Sequence, residues 1–181
     1  MTLKSILAWD QHWTSRLHLS RDSGLAWRLA AVLAHSGDSW FWLPGLGLIW
    51  LFSRGEWHAR AAIMAVGVFA LAVLVMLIKF TVKRARPDGD WGAVYRQTDP
   101  HSFPSGHAAR AFLLLILAWA LGPSWLAVAL TLWAPLVALS RVVTRMHYLS
   151  DVLAGALLGV VFSAVVLALV PLLMRFFPFL F

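Results

Sequence analysis

Long apolar runs without charge dominate the chain. Two of them cover residues 61–78 and 152–174. A transmembrane helix needs about 20 mainly apolar residues, so each run predicts one span. A third uncharged stretch covers residues 111–140. As one helix it would be about 45 Å long, which exceeds a hydrocarbon core of about 30 Å. The Gly-Pro-Ser turn at 122–124 therefore divides it into two spans.

A weaker span is predicted over residues 39–52, which are apolar but few and include Pro44. Its tryptophans are typical of a membrane interface. Residues 25–37 could form a sixth span, but the run is short, and an interfacial helix is favoured there.

The first 20 residues carry apolar side chains at helical spacing, which predicts an amphipathic helix lying in the membrane interface. A soluble helix packed on the domain is the alternative. The expected fold is therefore all-α: one domain over 1–181, with an interfacial segment at 1–38 and a multi-pass bundle of five to six transmembrane helices at 39–181.

Composition and charge support this assignment. Hydrophobic residues make up 61% of the chain and charged residues 13%, whereas soluble domains average about 25% charged residues. The net charge of +7 comes without a nucleic-acid-binding motif, so we expect anionic headgroups or an anionic substrate and no nucleic-acid partner. The chain has no cysteine, which excludes disulfide and thiolate chemistry.

Five spans place two polar segments on the same face of the membrane, namely the loop 83–104 and the stretch 141–151. The turns at 54–58 and 122–124 fall on the other face. Polar residues that are unusual in a membrane protein thus converge on one side.

The first polar cluster is Lys79 with Arg86, seven residues apart. Seven residues are about two helical turns, so both cations should point the same way. Pro87 disfavours helix at Arg86, where the helix should end. Snorkelling of cations at a helix end is the alternative interpretation.

The second cluster is Pro104-Ser105-Gly106-His107. Pro104 and Ser105 predict a helix start, whose free backbone N–H groups can hold an anion, and Gly106 permits close approach of the backbone. His107 would then lie beside that anion, where it could donate a proton to a departing oxygen. A capped helix with a hydrogen-bonded histidine is the alternative.

The third cluster holds His147 and Asp151, one helical turn apart. An aspartate that accepts a hydrogen bond from one imidazole nitrogen leaves the other nitrogen free to attack. Arg141 adds a fork for phosphate oxygens. A purely structural aspartate–histidine pair is the alternative, but it is less favoured because ionisable residues are costly in a membrane protein unless they have a function.

Acidic metal ligands are scarce on this face: Asp88, Asp90, Asp99 and Asp151. The electrostatics therefore favour a phosphate site without metal or other cofactor, in which cations take the role of a magnesium ion.

The ordered motifs resemble the type 2 phosphatidic acid phosphatase superfamily, which also includes the vanadium haloperoxidases. That family's signature is Lys-x6-Arg-Pro, then Pro-Ser-Gly-His, then Ser-Arg-x5-His-x3-Asp. Every position matches between residues 79 and 151. The matching residues are Lys79, Arg86, Pro87, Pro104, Ser105, Gly106, His107, Ser140, Arg141, His147 and Asp151.

The resemblance implies two sets of roles. Phosphate oxygens are bound by Lys79, Arg86 and Arg141, with further hydrogen bonds from Ser105 and the Gly106 backbone.

In the catalytic set, His107 protonates the leaving group. His147 attacks phosphorus and forms a phosphohistidine, which water hydrolyses, and Asp151 orients His147.

The implied protein is an integral-membrane lipid phosphatase. The family suggests prenyl pyrophosphates, phosphatidylglycerol phosphate, phosphatidic acid or lipid A phosphates, and an undecaprenyl pyrophosphate-type lipid is slightly favoured. The loop 88–103 is too short to hold a second domain, so headgroup selection would fall to a few side chains: Trp91, Tyr95, Arg96 and His101. Two rival functions are a vanadate-dependent haloperoxidase and a non-enzymatic transporter of anions or lipids.

The site is expected on the extracytoplasmic side of the cell inner membrane, as in most family members. A count of Lys and Arg would instead place the face that carries the site in the cytoplasm. However, the cations that would bind phosphate should be left out of that count. The oligomeric state is left open.

Overall fold

The structure is a computed structural model that describes residues 3–89 and 93–181. Eight α-helices occupy these ranges: α1 Leu3–Arg16, α2 Leu25–Ser36, α3 Ser39–Phe52, α4 Glu56–Val82, α5 Ala93–Thr98, α6 Gly106–Leu121, α7 Ser124–Val143 and α8 Leu149–Phe176. Short 3-10 turns lie at Arg21–Ser23 and Pro178–Leu180. Among the described residues there is no β-strand, only an isolated bridge between Ala85 and His101. The all-α prediction is confirmed.

Five apolar helices coincide with the five predicted spans. The helices α4, α7 and α8 are long and apolar enough to cross a membrane, whereas α3 and α6 are apolar but shorter. The chain turns between α6 and α7 at residues 122–123, as the Gly-Pro-Ser signal predicts. The protein is therefore a membrane helix bundle, and the total number of spans stays a prediction.

Helix α6 lies in the interior of the bundle, packed against α4, α7 and α8. Its side chains Leu113, Leu114 and Leu117 are fully buried. A short helix that is apolar on nearly all sides is stable only when neighbours enclose it. The first turn of α6, which carries the Pro-Ser-Gly-His motif, is thereby placed among the ends of the surrounding helices.

Two glycines let α8 approach α6 at backbone distance. A Cβ atom at Gly155 would lie 3.2 Å from the carbonyl carbon of Ser105, and one at Gly159 would lie 3.0 Å from the backbone nitrogen of Leu113. Both would come still closer to a backbone carbonyl oxygen, that of Ser105 for Gly155 and that of Ala109 for Gly159. Small residues at a four-residue spacing permit such contact between membrane helices. The close packing fixes the start of α6 against the start of α8.

The N-terminal helices contact the bundle through polar as well as apolar groups. Helix α1 packs against α8, and α2 packs against α7. On α1, Thr14 accepts a hydrogen bond from the backbone nitrogen of Leu149 at 3.1 Å, and Asp10 accepts one from that of Ser150 at 3.0 Å. These contacts satisfy N–H groups at the start of α8 that no helical carbonyl can reach. The helical form of α1 is as predicted, and its place in the membrane interface stays a prediction.

Candidate active site

A cavity of about 210 Å³ brings the three motifs together. Six of the eight predicted site residues line it: Lys79, Arg86, Gly106, His107, Arg141 and His147. The other two, Ser105 and Asp151, are fully buried next to the lining residues. The predicted convergence of the polar motifs at one site is therefore observed.

The first motif reaches the cavity by a different path from the one predicted. Helix α4 ends at Val82 rather than at Arg86, because Lys83 takes a left-handed conformation with φ of 52°. The chain beyond it is non-helical, and Ala85 makes the isolated bridge. The expectation that Lys79 and Arg86 share one helical face was wrong, although both side chains reach the same place.

That place is the carboxylate of Asp99, in the loop before α6. Lys79 Nζ and Arg86 Nη2 both donate to Asp99 Oδ2, the second at 2.8 Å. Arg86 is further fixed by donating Nη1 to the carbonyl of Met146 at 2.8 Å. Burial lowers the pKa of Arg86, and the charge of Asp99 opposes that change. A guanidinium still remains protonated, so these donors present positive charge to an oxyanion.

The second motif begins α6 as predicted. Ser105 is the N-cap, and its hydroxyl lies 3.5 Å from the backbone nitrogen of Ala108. Its own backbone nitrogen donates to the carbonyl of Asp151 at 2.9 Å. Ser105 is fully buried and caps the helix in this structure. Gly106, the next residue, lines the cavity and brings the first turn of α6 to it.

The catalytic candidate of the third motif, His147, lies in the connection between α7 and α8. It is 1% exposed. Nδ1 lies 2.7 Å from the carbonyl of Ser102, and Nε2 lies 3.1 Å from Arg86 Nη1. A carbonyl can only accept and a guanidinium can only donate. The contacts therefore assign the proton to Nδ1 and leave the lone pair on Nε2.

The expected hydrogen bond between Asp151 and His147 is not formed. Their closest atoms, Oδ2 and Nδ1, are 3.7 Å apart, which is too long for a hydrogen bond. Asp151 instead accepts from the backbone nitrogen of Tyr148 at 2.9 Å and from Arg84 Nη1 at 2.7 Å. The direct bond was expected from one turn of helix, but α8 begins only at Leu149. The tautomer is set by the Ser102 carbonyl.

The electrostatic surroundings of His147 favour its neutral form. Burial, followed by the charges of Arg86, Arg141 and Lys79, lowers its pKa well below the ordinary value of 6.5. A neutral imidazole with an unprotonated Nε2 can act as a nucleophile at neutral pH.

Three further charged residues complete the site, and sequence reasoning gave none of them a role there. Asp38, between α2 and α3, lies 2.6 Å from His107 Nε2 through Oδ1. Arg84 joins Asp151 to Asp10 of α1, with Nη2 donating to Asp10 Oδ2 at 2.6 Å. No local pattern in the sequence indicates which groups these three residues meet.

The structure describes the contacts of two of the four residues predicted to select the headgroup, Arg96 and His101. Arg96 donates to the carbonyls of Pro87 at 2.8 Å and Arg145 at 3.1 Å, so it holds the loop together. The carbonyl of His101 accepts from Lys79 Nζ at 3.1 Å. Trp91 and the side chain of Tyr95 lie outside the described residues.

Within the described residues, no group of three or more His, Cys, Asp or Glu side chains is arranged to hold a metal ion. The absence of a metal requirement stays a prediction, which chelation can test.

The chain belongs to the PAP2 superfamily, whose signature matches residues 60–175. It is 37% identical over 142 residues to the decaprenylphosphoryl-5-phosphoribose phosphatase of Mycobacterium tuberculosis, covering 76% of each protein. It is 29% identical over 136 residues to the undecaprenyl-diphosphatase of Sulfolobus acidocaldarius, covering 72% of this chain and 64% of that one.

The fold is similar to a crystal structure of a transmembrane PAP2-type phosphatidylglycerolphosphate phosphatase from Bacillus subtilis. The TM-score is 0.78 at 24% sequence identity, covering 95% of this chain and 89% of the other. The membrane helix bundle predicted from the apolar runs is thus the fold of a solved PAP2 protein.

Proposed function

We propose that this protein is an integral-membrane phosphatase that hydrolyses a lipid phosphate monoester or pyrophosphate through a phosphohistidine, without metal. One observation carries the proposal. A single cavity in an apolar helix bundle is lined by a histidine whose surroundings favour the neutral form with Nε2 unprotonated, by a second histidine and by the cationic side chains of Lys79, Arg86 and Arg141.

In the proposed first step, Nε2 of His147 forms a bond to phosphorus. The bond from phosphorus to the lipid oxygen breaks, its electron pair stays on that oxygen, and His107 supplies the proton. Lys79, Arg86 and Arg141 stabilise the negative charge of the transition state. In the second step, water attacks phosphorus and passes a proton to His107. The bond from phosphorus to Nε2 breaks with its electron pair on Nε2, so that phosphate is released and His147 is restored.

The apolar part of the cavity supports a lipid substrate. Leu71, Ala72, Val75 and Met76 of α4 and Trp40 of α3 line the same cavity as the cations. A wall of this composition fits an apolar chain whose phosphate lies against the charged end. We propose a prenyl pyrophosphate or phosphate as substrate, because two of the similar proteins are named for prenyl-linked phosphates.

We propose that the site faces the extracytoplasmic side of the cell inner membrane, as the family resemblance implies. The chain has no cysteine, so a single Gln97→Cys reports the side of the site loop. Labelling in intact cells by a membrane-impermeant maleimide is expected. Labelling only after lysis would place the site on the cytoplasmic side.

The function is tested with purified protein in detergent and a panel of lipids: undecaprenyl pyrophosphate, phosphatidylglycerol phosphate, phosphatidic acid and lipid A. Phosphate release is expected to be fastest with the prenyl lipid and absent for His147→Ala. His12→Ala, which changes an exposed histidine of α1, is the control and should match wild type.

Two other outcomes would favour the rival functions. Movement of lipid across vesicles that persists in His147→Ala would indicate a transporter. Bromination by the vanadate-loaded protein would indicate a haloperoxidase.

A further inference from the structure

The cavity contains an aspartate–histidine pair that involves the other histidine. Asp38 Oδ1 lies 2.6 Å from His107 Nε2, and both residues line the cavity. We propose that Asp38 is a positioning residue that orients His107 for proton donation and favours its protonated form. This inference rests on the proposed phosphatase function, because it assigns the control of one of its steps.

The position of Asp38 in the chain favours a role beyond helix capping. Asp38 is the N-cap residue of α3, where an aspartate ordinarily accepts a hydrogen bond from the next backbone N–H groups. Its side chain makes no such bond. Instead one carboxylate oxygen meets His107, and the other lies 3.1 Å from Nδ1 of His35. The side chain is therefore turned away from its own helix toward the cavity.

The backbone around Asp38 is built for this approach. A Cβ atom on the preceding Gly37 would lie 2.9 Å from Val137 Cγ1 and 3.1 Å from Cδ2 of His107. The carbonyl of Gly37 also accepts a hydrogen bond from Arg110 of α6. Because a side chain at position 37 would push this segment away, glycine allows the break between α2 and α3 to lie against the first turn of α6.

The charges around the cavity show why His107 needs a carboxylate. His107 is buried, and the charges of Arg141 on α7 and Arg110 on α6 act on it. The same cavity is lined by Lys79 and Arg86. The N-terminus of α6 adds positive potential. All of these disfavour a charged imidazole, whereas a carboxylate in hydrogen-bond contact favours it.

The second carboxylate on the cavity wall, that of Asp99, already accepts hydrogen bonds from two cations. Of the two carboxylates that line the cavity in the described part of the chain, Asp99 is bonded to Lys79 and Arg86. Asp38 is the one bonded to His107. The proton donor and the phosphate-binding cations are thus each paired with a separate carboxylate.

The test compares two substrates that differ in their need for a proton donor. The glycerol oxygen of phosphatidic acid must be protonated as it leaves, whereas 4-nitrophenyl phosphate releases a stable phenolate. We expect Asp38→Asn to lower kcat for phosphatidic acid by about 10- to 100-fold and kcat for 4-nitrophenyl phosphate by no more than a few-fold. Equal losses on both substrates, or wild-type turnover of phosphatidic acid, would overturn the proposal.

A double-mutant cycle shows whether Asp38 acts through His107. In a His107→Ala background, Asp38→Asn should change kcat for phosphatidic acid by less than about twofold, since the partner is gone. A full additional loss would show that Asp38 acts elsewhere. If Asp38→Asn does not fold, Asp38→Glu replaces it: the charge is kept but shifted, so the same substrate-selective loss is expected at smaller size.

Failure of this inference and failure of the proposed function give different results. If His147→Ala retains turnover, the phosphatase mechanism itself is wrong. If His147→Ala is inactive and Asp38→Asn lowers both substrates alike, the mechanism stands and Asp38 has only a structural role.

Discussion

Gly155→Ala is expected to damage catalysis more than stability. The added methyl group would lie 3.2 and 3.3 Å from the carbonyl carbon and nitrogen of Ser105 and closer still to its oxygen, whereas ordinary contact begins at 3.4 Å. Restoring contact with that oxygen requires roughly 1 Å of separation between α8 and the start of α6. The bond from Ser105 nitrogen to the Asp151 carbonyl, 2.9 Å long, crosses this boundary.

The expected magnitudes follow from that separation. Overpacking costs about 1–3 kcal/mol, and the better helix propensity of alanine returns up to about 1 kcal/mol, so the variant should fold. A displacement of about 1 Å between catalytic groups can cost about 100-fold in rate. We therefore expect kcat for phosphate release to fall by about 100-fold while Tm falls by only a few degrees.

Two other helical glycines serve as matched controls. A Cβ at Gly45 of α3 meets nothing within 4 Å, and one at Gly67 of α4 meets only side-chain carbons at 3.4 Å or more. Alanine at either position should leave kcat near wild type. If Gly155→Ala has the same kcat as these controls, the close packing of α6 on α8 does not position the site.

Three further predictions concern the N-terminal helix, pH and metal. Asp10→Ala removes hydrogen bonds to Ser150 and Arg84 and should lower the free energy of unfolding by roughly 1.5–3 kcal/mol, seen as a lower Tm together with a lower kcat. Asp22→Ala, which changes an exposed aspartate, is the control. Equal Tm values for the two variants would contradict the role of Asp10 in holding α1 on the bundle. Because the pKa of His147 is lowered on folding, the unfolded chain binds more protons below about pH 6.5, and the free energy of unfolding should fall on acidification. His147→Gln should reduce the Tm loss between pH 7 and 5, and an unchanged loss would refute this. Phosphate release should persist in EDTA, whereas activity lost in EDTA and restored by magnesium would end the metal-free mechanism.

The apolar runs and the spacing of the motifs were enough to predict the apolar helices and the convergence of the site, because both depend on local composition and on which loops share a face. The contacts of the side chains depend on tertiary packing. The end of α4 is set by the left-handed Lys83, and the partner of His147 is the carbonyl of Ser102, 45 positions earlier. Such pairings leave no periodic trace in the sequence.

The contribution of the N-terminal segment was the largest omission. Sequence reasoning placed the site within residues 79–151, whereas Asp10 and Asp38 lie within the predicted interfacial segment and bond to site residues. An aspartate in a predicted membrane-interface segment indicates only that its side chain needs a partner, and the sequence does not say which one. Its partner becomes visible once α1 and α2 are packed on the bundle.

The central claim is that His147 carries the phosphoryl group. It is tested most directly by rapid acid-free quenching of the purified protein during turnover of a 32P-labelled lipid phosphate, followed by mapping of the label. The account predicts one acid-labile, alkali-stable phosphate on His147, absent from His147→Ala, which releases no phosphate. Label on another residue, or wild-type turnover by His147→Ala, would contradict it.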